Sequence, residues 1–281
     1  MLHCEKKYSI FNVIKIMFIL LILSYCSSDL SERAMESKDA KIRRLGKQLK
    51  LVNKRPANDA EEYFIGRRLA ARMLATHPPH HDNNLQQYIN AVGTTLSLAS
   101  PRPNPYKGYR FIILKTKMKN AFAFPGGFIF ITSGLLKLLD NEDELAGVLA
   151  HEIIHVCKRH PINTLRLYTK NRLRRQIKKG IGQDVDEEIR QIKLLKKGYE
   201  AKQEVEADEG AAFLMIKSGY DPTQLTSVLN RLSRKNVESN VVHGNPVNRA
   251  TVIQNVCNKQ SYLPYVSEKR RKRFKTYSDF F

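Results

Sequence analysis

The feature that most constrains this chain is the motif His151, Glu152 and His155, placed inside an apolar segment. Acidic residues at 142–144 suit the first turn of a helix, and the segment then becomes apolar on nearly every face. The sequence therefore predicts a buried helix. Residues four apart share one helix face, so both imidazoles can close on one metal ion with Glu152 beside the open position. This is the arrangement of a zinc hydrolase; the alternative is a buried helix whose histidines bond to backbone carbonyls.

A catalytic zinc usually takes three protein ligands, so the two histidines need a third donor. A second helical pattern runs from Tyr199 to Lys217, with Glu204 and Asp208 one turn apart on the same stripe. Glu204 can reach a metal from this helix, and Asp208 can hold a ligand imidazole by its free N–H. The alternative is that both carboxylates lie on a solvated acidic face.

The two motifs together resemble the BepA/LoiP-like zinc metallopeptidases, gluzincins related to HtpX and the CaaX prenyl endopeptidase. In that family, His-Glu-x-x-His is followed by Glu-x-x-x-Asp. The resemblance covers roughly residues 60–258 and includes the segments 120–136 and 218–222, which flank the two metal helices. It implies an α+β fold: a predominantly α-helical zincin-type domain with a small β-sheet lining the cleft.

The resemblance also implies a role for each residue of the two motifs. His151, His155 and Glu204 correspond to the ligands of one Zn²⁺ per chain. Glu152 corresponds to the general base, and Asp208 to a carboxylate that supports a ligand histidine.

Two further residues are implied by the resemblance near the end of the matched region. His243 corresponds to a histidine that either approaches the metal as a latch or stabilises the oxyanion, and Arg249 to its accompanying arginine. Relatives often have Pro where Gly244 stands and Arg where Lys202 stands. Without the resemblance, His243 is interpreted as an ordinary loop histidine.

A small sheet is predicted by the β-rich runs 109–115 and 128–132, with a Pro-Gly-Gly turn at 125–127 between them. In a peptidase cleft an edge strand can pair with an extended peptide through main-chain hydrogen bonds. The alternative is a plain core hairpin. The resemblance places four residues along the cleft as the substrate strand: Asn120, Ala121, Phe122 and Ala123.

The N-terminal residues 1–26 are interpreted as an export signal. Three lysines precede the apolar run 16–23, which is too short to span a bilayer as a helix. Cys26 follows a segment that resembles a bacterial lipobox, except that Tyr25 stands where a small residue is usual. Lipidation of Cys26, conventional cleavage nearby and an uncleaved anchor all stay open. The expected location is the bacterial periplasm, attached to the membrane.

Four segments are expected along the 281-residue chain: the signal 1–26, a basic tether 27–58, the catalytic domain 59–262 with a charged helical insert or lid 161–197, and a basic tail 263–281. The formal net charge is +21, which favours contact with anionic lipid headgroups or a merely solvated basic surface. Nucleic acid is not expected as a partner, since no recognised binding motif accompanies the charge.

The remaining cysteines and histidines add little. Cys157 and Cys257 are either bridged or two free thiols. Four other histidines are interpreted as surface or capping residues: His77, His80, His81 and His160.

Together these features predict a zinc-dependent endopeptidase that acts on unfolded or misassembled envelope proteins. Two alternatives stay open. One is a latent protease or zinc-binding chaperone without turnover, and the other is a basic membrane-surface-binding protein with a vestigial metal site.

Overall fold

The computed structural model describes residues 30–179, 187–234, 246–265, 267–278 and 280. These residues form two compact units. The smaller unit contains the described residues up to 56 and those from 166 to 179, and the larger unit contains 57–165 and the described residues from 187 onward.

The described helices, apart from a helical stretch at 30–36, are α1 (Ala40–Lys54), α2 (Asp59–Thr76), α3 (Asn83–Ala99), α4 (Ser133–Leu136), α5 (Glu142–Cys157), α6 (His160–Lys179), α7 (Glu187–Lys196), α8 (Ala201–Lys217), α9 (Thr223–Arg234), α10 (Pro246–Lys259) and α11 (Glu268–Ser278). The strands are β1 (Arg110–Leu114), β2 (Ala121–Phe124) and β3 (Phe128–Thr132). The predicted α+β class, mainly helical with a small sheet, is confirmed. Among the described helices, none combines the length and apolar character needed to cross a bilayer.

The smaller unit is helical and has its own core. The carboxylate of Asp39 caps α1 by accepting from the backbone N–H of Lys41 at 2.7 Å. Four side chains from α1 and the later part of α6 are buried together: Leu45, Leu49, Leu173 and Ile177. The segment 27–58, expected to be a basic tether, therefore contains a helix with a buried face.

In the larger unit the three strands form one sheet in the order β1-β3-β2. β1 runs parallel to β3, and β2 pairs antiparallel with it, with Ala121 opposite Ile131. The predicted turn joins β2 to β3, and Gly126 there has a φ of 73°, which glycine adopts at little cost. Helix α2 packs tightly on this turn, because a Cβ added at Gly66 would lie 1.8 Å from the Pro125 carbonyl oxygen.

The predicted metal helix is α5. Asn141 caps it by accepting from the backbone N–H of Glu144 at 2.9 Å, and every residue from 142 to 156 is buried. It packs against α3, α8, α9 and β2 in the largest core cluster. A helix buried on all sides fixes the positions of its side chains, so α5 is a rigid support for a site.

The charged insert and the basic C-terminal segment both contribute to the core of the larger unit. Ile192 and Leu195 of α7 are buried in the cluster that contains Phe122 and Phe124. The segment expected to be a tail contains α11, whose Phe274 is 3 % exposed. A lid function for the insert stays a prediction.

Both cysteines of the larger unit are free thiols. Cys257 is buried, and the sulfur of Cys157 lies 3.5 Å from the hydroxyl of Tyr109. The disulfide alternative is therefore not realised in this structure.

Candidate metal centre

Helix α5 brings His151 and His155 together, as the four-residue spacing predicts. Their Nε2 atoms are 3.0 Å apart, and the residues are 4 % and 0 % exposed. Both rings therefore turn the same nitrogen toward one point, which lies away from bulk solvent.

Helix α8 adds Glu204, the predicted third donor. Its Oε2 lies 3.3 Å from Nε2 of His151, and its Oε1 lies 3.8 Å from Nε2 of His155. The helices approach closely because α8 carries Gly210, where an added Cβ would lie 2.8 Å from the side chain of Ile154 on α5. A larger residue at that position would require the Ile154 side chain or one of the two helices to shift.

The three donors fit a zinc ion. Their ligand atoms all lie within 4.8 Å of one another. Zinc binds imidazole nitrogen and carboxylate oxygen at about 2.0–2.2 Å in tetrahedral sites, which places neighbouring donors about 3.3 Å apart. The observed separations of 3.0, 3.3 and 3.8 Å bracket that value. Two neutral imidazoles and one carboxylate are also the donor set of a catalytic zinc site with an open position.

His151 is held from behind by Asp208, as expected for the carboxylate one turn after Glu204. Nδ1 of His151 donates to Oδ1 of Asp208 across 3.0 Å. Arg249 fixes that carboxylate with two hydrogen bonds of 2.6 Å, and its Nη2 is 3.8 Å from Glu204. Arg249, predicted as the partner of His243, is thus placed at the metal centre, whereas His243 lies outside the described residues.

The same contacts shift the pKa values of His151 and Asp208. Burial lowers the pKa of His151, but its hydrogen bonds to Asp208 and Glu204 outweigh that effect and raise the pKa to about 9. Burial raises the pKa of the Asp208 carboxyl, and the charge and hydrogen bonds of Arg249 together with the contact to His151 more than offset this, so the net shift is downward. Without metal, His151 is therefore protonated on both ring nitrogens and positively charged at neutral pH. A metal ion that bound at Nε2 would displace the proton on that nitrogen.

His155 is held by a residue that sequence reasoning missed. His160 is 4 % exposed, so the surface part of its interpretation as a surface or capping residue is wrong. Its Nδ1 lies 2.9 Å from Nδ1 of His155, and its Nε2 lies 3.3 Å from Oε2 of Glu206. Arg159, with a φ of 58°, interrupts the helical path between α5 and α6, and the next residue, His160, contacts the metal helix. A histidine directly after the end of a metal helix is the signal that could have found it.

Tyr199 is the second residue that sequence reasoning missed. Its ring stacks on His155 with centroids 4.2 Å apart, and its backbone N–H donates to Oε1 of Glu204. Its hydroxyl donates to the Ala123 carbonyl at 2.9 Å. Burial raises the pKa of Tyr199, which keeps the hydroxyl protonated as a donor. Tyr199 therefore contacts two of the metal donors, His155 and Glu204, and also strand β2.

Glu152 lies beside the donors on the wall of a pocket. The residue is 2 % exposed, and His151 and Arg249 line the same wall. The rest of the lining is mainly apolar and includes Leu135, Val148, Leu225, Val228, Leu229 and Leu232. A carboxylate next to the metal donors and on the wall of an apolar pocket can exchange protons with a reacting group held there.

The predicted substrate strand is only partly at this pocket. Asn120 and Ala121 line it, at the start of β2. Phe122 is buried in a different core cluster, and the Ala123 carbonyl is bonded by Tyr199. The structure thus brings two of the four residues to the cleft.

The chain is similar in sequence to known proteins. The model of peptidase family M48 matches residues 83–257. The beta-barrel assembly-enhancing protease of Yersinia pestis is 41 % identical over 101 residues, which are 36 % of this chain and 20 % of that protein. Its Escherichia coli K12 counterpart is 36 % identical over 100 residues, again 36 % and 20 %.

A longer match is to the mitochondrial metalloendopeptidase OMA1 of Schizosaccharomyces pombe, 28 % identical over 182 residues, or 64 % of this chain and 51 % of that protein. The chain therefore spans about a fifth of the bacterial proteases and half of the yeast protein. The family match covers more than half of the chain and contains all three metal donors. The chain belongs to peptidase family M48.

Proposed function

We propose that this chain is a zinc-dependent endopeptidase that cleaves unfolded or misassembled proteins. The observation that carries the proposal is the buried His151, His155 and Glu204 donor set with Glu152 beside it at an apolar pocket. Family membership supports the same class of activity. The roles of the individual residues are part of the proposal.

The catalytic roles follow from the chemistry of the residues. When zinc is bound by the three donors, it supplies Lewis acidity that makes water a better nucleophile and polarises a peptide carbonyl. Glu152 takes the proton of the attacking water and passes it to the leaving amine. His243, which lies outside the described residues, is proposed either to block the open position or to stabilise the oxyanion.

Substrate binding is proposed to use the backbone of β2 and the apolar pocket. β2 is at one edge of the described sheet, and Ala121 on it lines the pocket. An extended peptide that adds to this edge is recognised through its main chain, while one apolar side chain enters the pocket. Only an unfolded segment offers both features, since folded proteins bury apolar side chains and pair their strands.

The location and the membrane contact are further proposals. Export to a bacterial envelope rests on residues 1–26, which lie outside the described residues. The relatives include both a beta-barrel assembly-enhancing protease and a mitochondrial metalloendopeptidase. A basic surface for anionic lipid is supported by four exposed residues of α11: Lys269, Arg271, Lys272 and Lys275.

Metal removal tests the proposed activity. Purified chain is incubated with an unfolded outer-membrane protein, with and without a chelator, and fragments are identified by mass spectrometry. We expect internal cleavage that stops with chelator and returns with zinc. Stable binding of the unfolded protein without fragments would instead support the chaperone alternative. Binding to anionic vesicles that survives metal removal, with neither fragments nor protein binding, would support the membrane-surface alternative.

A further inference from the structure

His160 is placed where it can act on a metal ligand without touching the metal. The residue lies at the start of α6, and its ring is buried against His155. The Nδ1 atoms of the two rings are 2.9 Å apart. At that distance one nitrogen must donate and the other must accept, because two N–H groups facing each other would repel.

Metal binding decides the direction of this hydrogen bond. His155 faces the other donors with Nε2, so as a neutral ligand it carries its proton on Nδ1. That Nδ1–H donates to Nδ1 of His160, which accepts. A neutral His160 then carries its own proton on Nε2, where it faces Oε2 of Glu206 at 3.3 Å. Each donor in this chain of hydrogen bonds meets an acceptor.

The two ligand histidines are thus supported differently. His151 donates to Asp208, a carboxylate that is 0 % exposed and fixed by Arg249. His155 donates to a neutral imidazole, and the carboxylate beyond it, Glu206, has a side chain that is 37 % exposed. Outer partners of this kind orient ligand rings and raise their basicity toward the metal.

We infer that His160, with Glu206 beyond it, is a positioning residue that holds the His155 ring in the tautomer and orientation required for binding metal through Nε2. This inference rests on the proposed metal centre. It assigns His160 no contact with substrate or with the reacting atoms.

A matched pair of variants tests the inference. Asn at position 160 offers an oxygen near the place of Nδ1, whereas Leu has a similar shape and no acceptor. Zinc affinity is measured by competition with a chromophoric chelator, on the full chain. We expect His160→Leu to weaken zinc binding about 10–100-fold, the range seen when such outer partners are removed. His160→Asn should stay within a few-fold of wild type.

A spectroscopic readout separates positioning from a packing effect. Cobalt(II) replaces zinc, and its visible absorption reports the ligand geometry. We expect His160→Asn to keep the wild-type spectrum and His160→Leu to change it. Glu206→Ala alters a partly exposed residue and should weaken zinc binding less than His160→Leu. If the Leu variant does not fold, Glu206→Ala replaces it as the test of the hydrogen-bond chain.

The outcomes are distinguishable from failure of the proposed function. If wild type binds no zinc, the proposed metal centre is wrong. If wild type binds zinc and His160→Leu binds it equally well with an unchanged cobalt spectrum, His160 is not a positioning residue. Equal losses in the Asn and Leu variants would also overturn the inference, because the accepting atom would then be irrelevant.

Discussion

Glu204 is the third donor of the candidate metal site, beside the two histidines of α5. It lies on a different helix from the motif, and it is 1 % exposed. A buried carboxylate is costly unless a cation or hydrogen bonds compensate it, and without metal the compensation comes from protonated His151 at 3.3 Å and Arg249 at 3.8 Å. Its position therefore fits a metal ligand better than a solvated acidic face.

Replacement of Glu204 tests that assignment. Glu204→Gln keeps the shape but replaces a charged oxygen donor with a weak amide donor, so purified protein should lose most of its zinc. Glu209→Gln, on the exposed side of the same helix, is the control and should keep about one zinc per chain. Metal analysis after dialysis is the measurement. Full zinc retention in the Glu204 variant would remove this residue from the ligand set.

Asp208 and Arg249 form a buried ion pair behind His151, with exposures of 0 % and 6 %. In the metal-free protein, Asp208→Asn removes the carboxylate that is bonded twice to the buried guanidinium and leaves Glu204, 3.8 Å away, as a more distant counter-charge. Breaking a buried ion pair typically costs about 3–5 kcal/mol in free energy of unfolding. Asp140→Asn is the control, since Asp140 pairs with Arg231 but its side chain is 70 % exposed. We expect the control to change stability by less than about 1 kcal/mol. Equal losses in denaturant unfolding would show that burial of the pair does not matter.

At the scale of elements, the first turn of α5 is held by arginines from later in the chain. Glu142, Asp143 and Glu144 are buried, and their partners are, respectively, Arg273, Arg270 and Arg231. Carboxylates at a helix N-terminus are favourable because they face the positive end of the helix dipole. The arginines let these charges be buried, and two of them belong to α11.

The contribution of α11 to stability can be measured by replacing two nearby arginines of this helix, one bonded to Glu142 and one bonded to Glu268. Nε of Arg273 donates to Glu142 at 2.6 Å, whereas Arg271 pairs with Glu268 on the exposed surface. Tyr88 and Tyr220 also donate to Glu142, so Arg273→Gln leaves it partly satisfied. We expect a loss of about 1.5–3 kcal/mol for Arg273→Gln in denaturant unfolding. Arg271→Gln should change the free energy of unfolding little. A loss comparable to that of Arg273→Gln would show that the effect comes from removing any positive charge and not from the contact with Glu142.

The helices that carry the donors could be predicted from the sequence, but their surroundings could not. Apolar spacing and acidic capping residues are local signals, and they located α5 and α8 closely. The contacts of His160 and Tyr199 depend on the backbone break at Arg159 and on the start of α8. The position of His160 directly after the metal helix is a sequence signal, but its contact with His155 and the contacts of Tyr199 are tertiary features.

Tertiary contacts are also the reason that α11 was not expected to join the core. Its basic composition is typical of a solvated tail, whereas its apolar side is packed through the buried Phe274 and through Tyr277, which stacks on Tyr88 at 4.4 Å. The arginines that bind Glu142 and Asp143 are indistinguishable in sequence from those that face solvent. Their role depends on acidic partners more than a hundred residues away.

In the whole molecule, the metal donors and Glu152 are proposed to act together in the hydrolysis of peptide bonds. Glu152 is assigned to proton transfer and not to metal binding, so Glu152→Gln separates the two roles. The variant should keep the zinc content and the unfolding curve of wild type, because Gln has the same shape and the three donors are intact.

The most direct measurement is the rate of cleavage of one unfolded protein by wild type and by Glu152→Gln, at equal zinc content. We expect a loss of at least ~10²-fold in the variant, the usual contribution of a general base. Cleavage by the variant at a rate within a few-fold of wild type would show that Glu152 is not the general base of peptide hydrolysis.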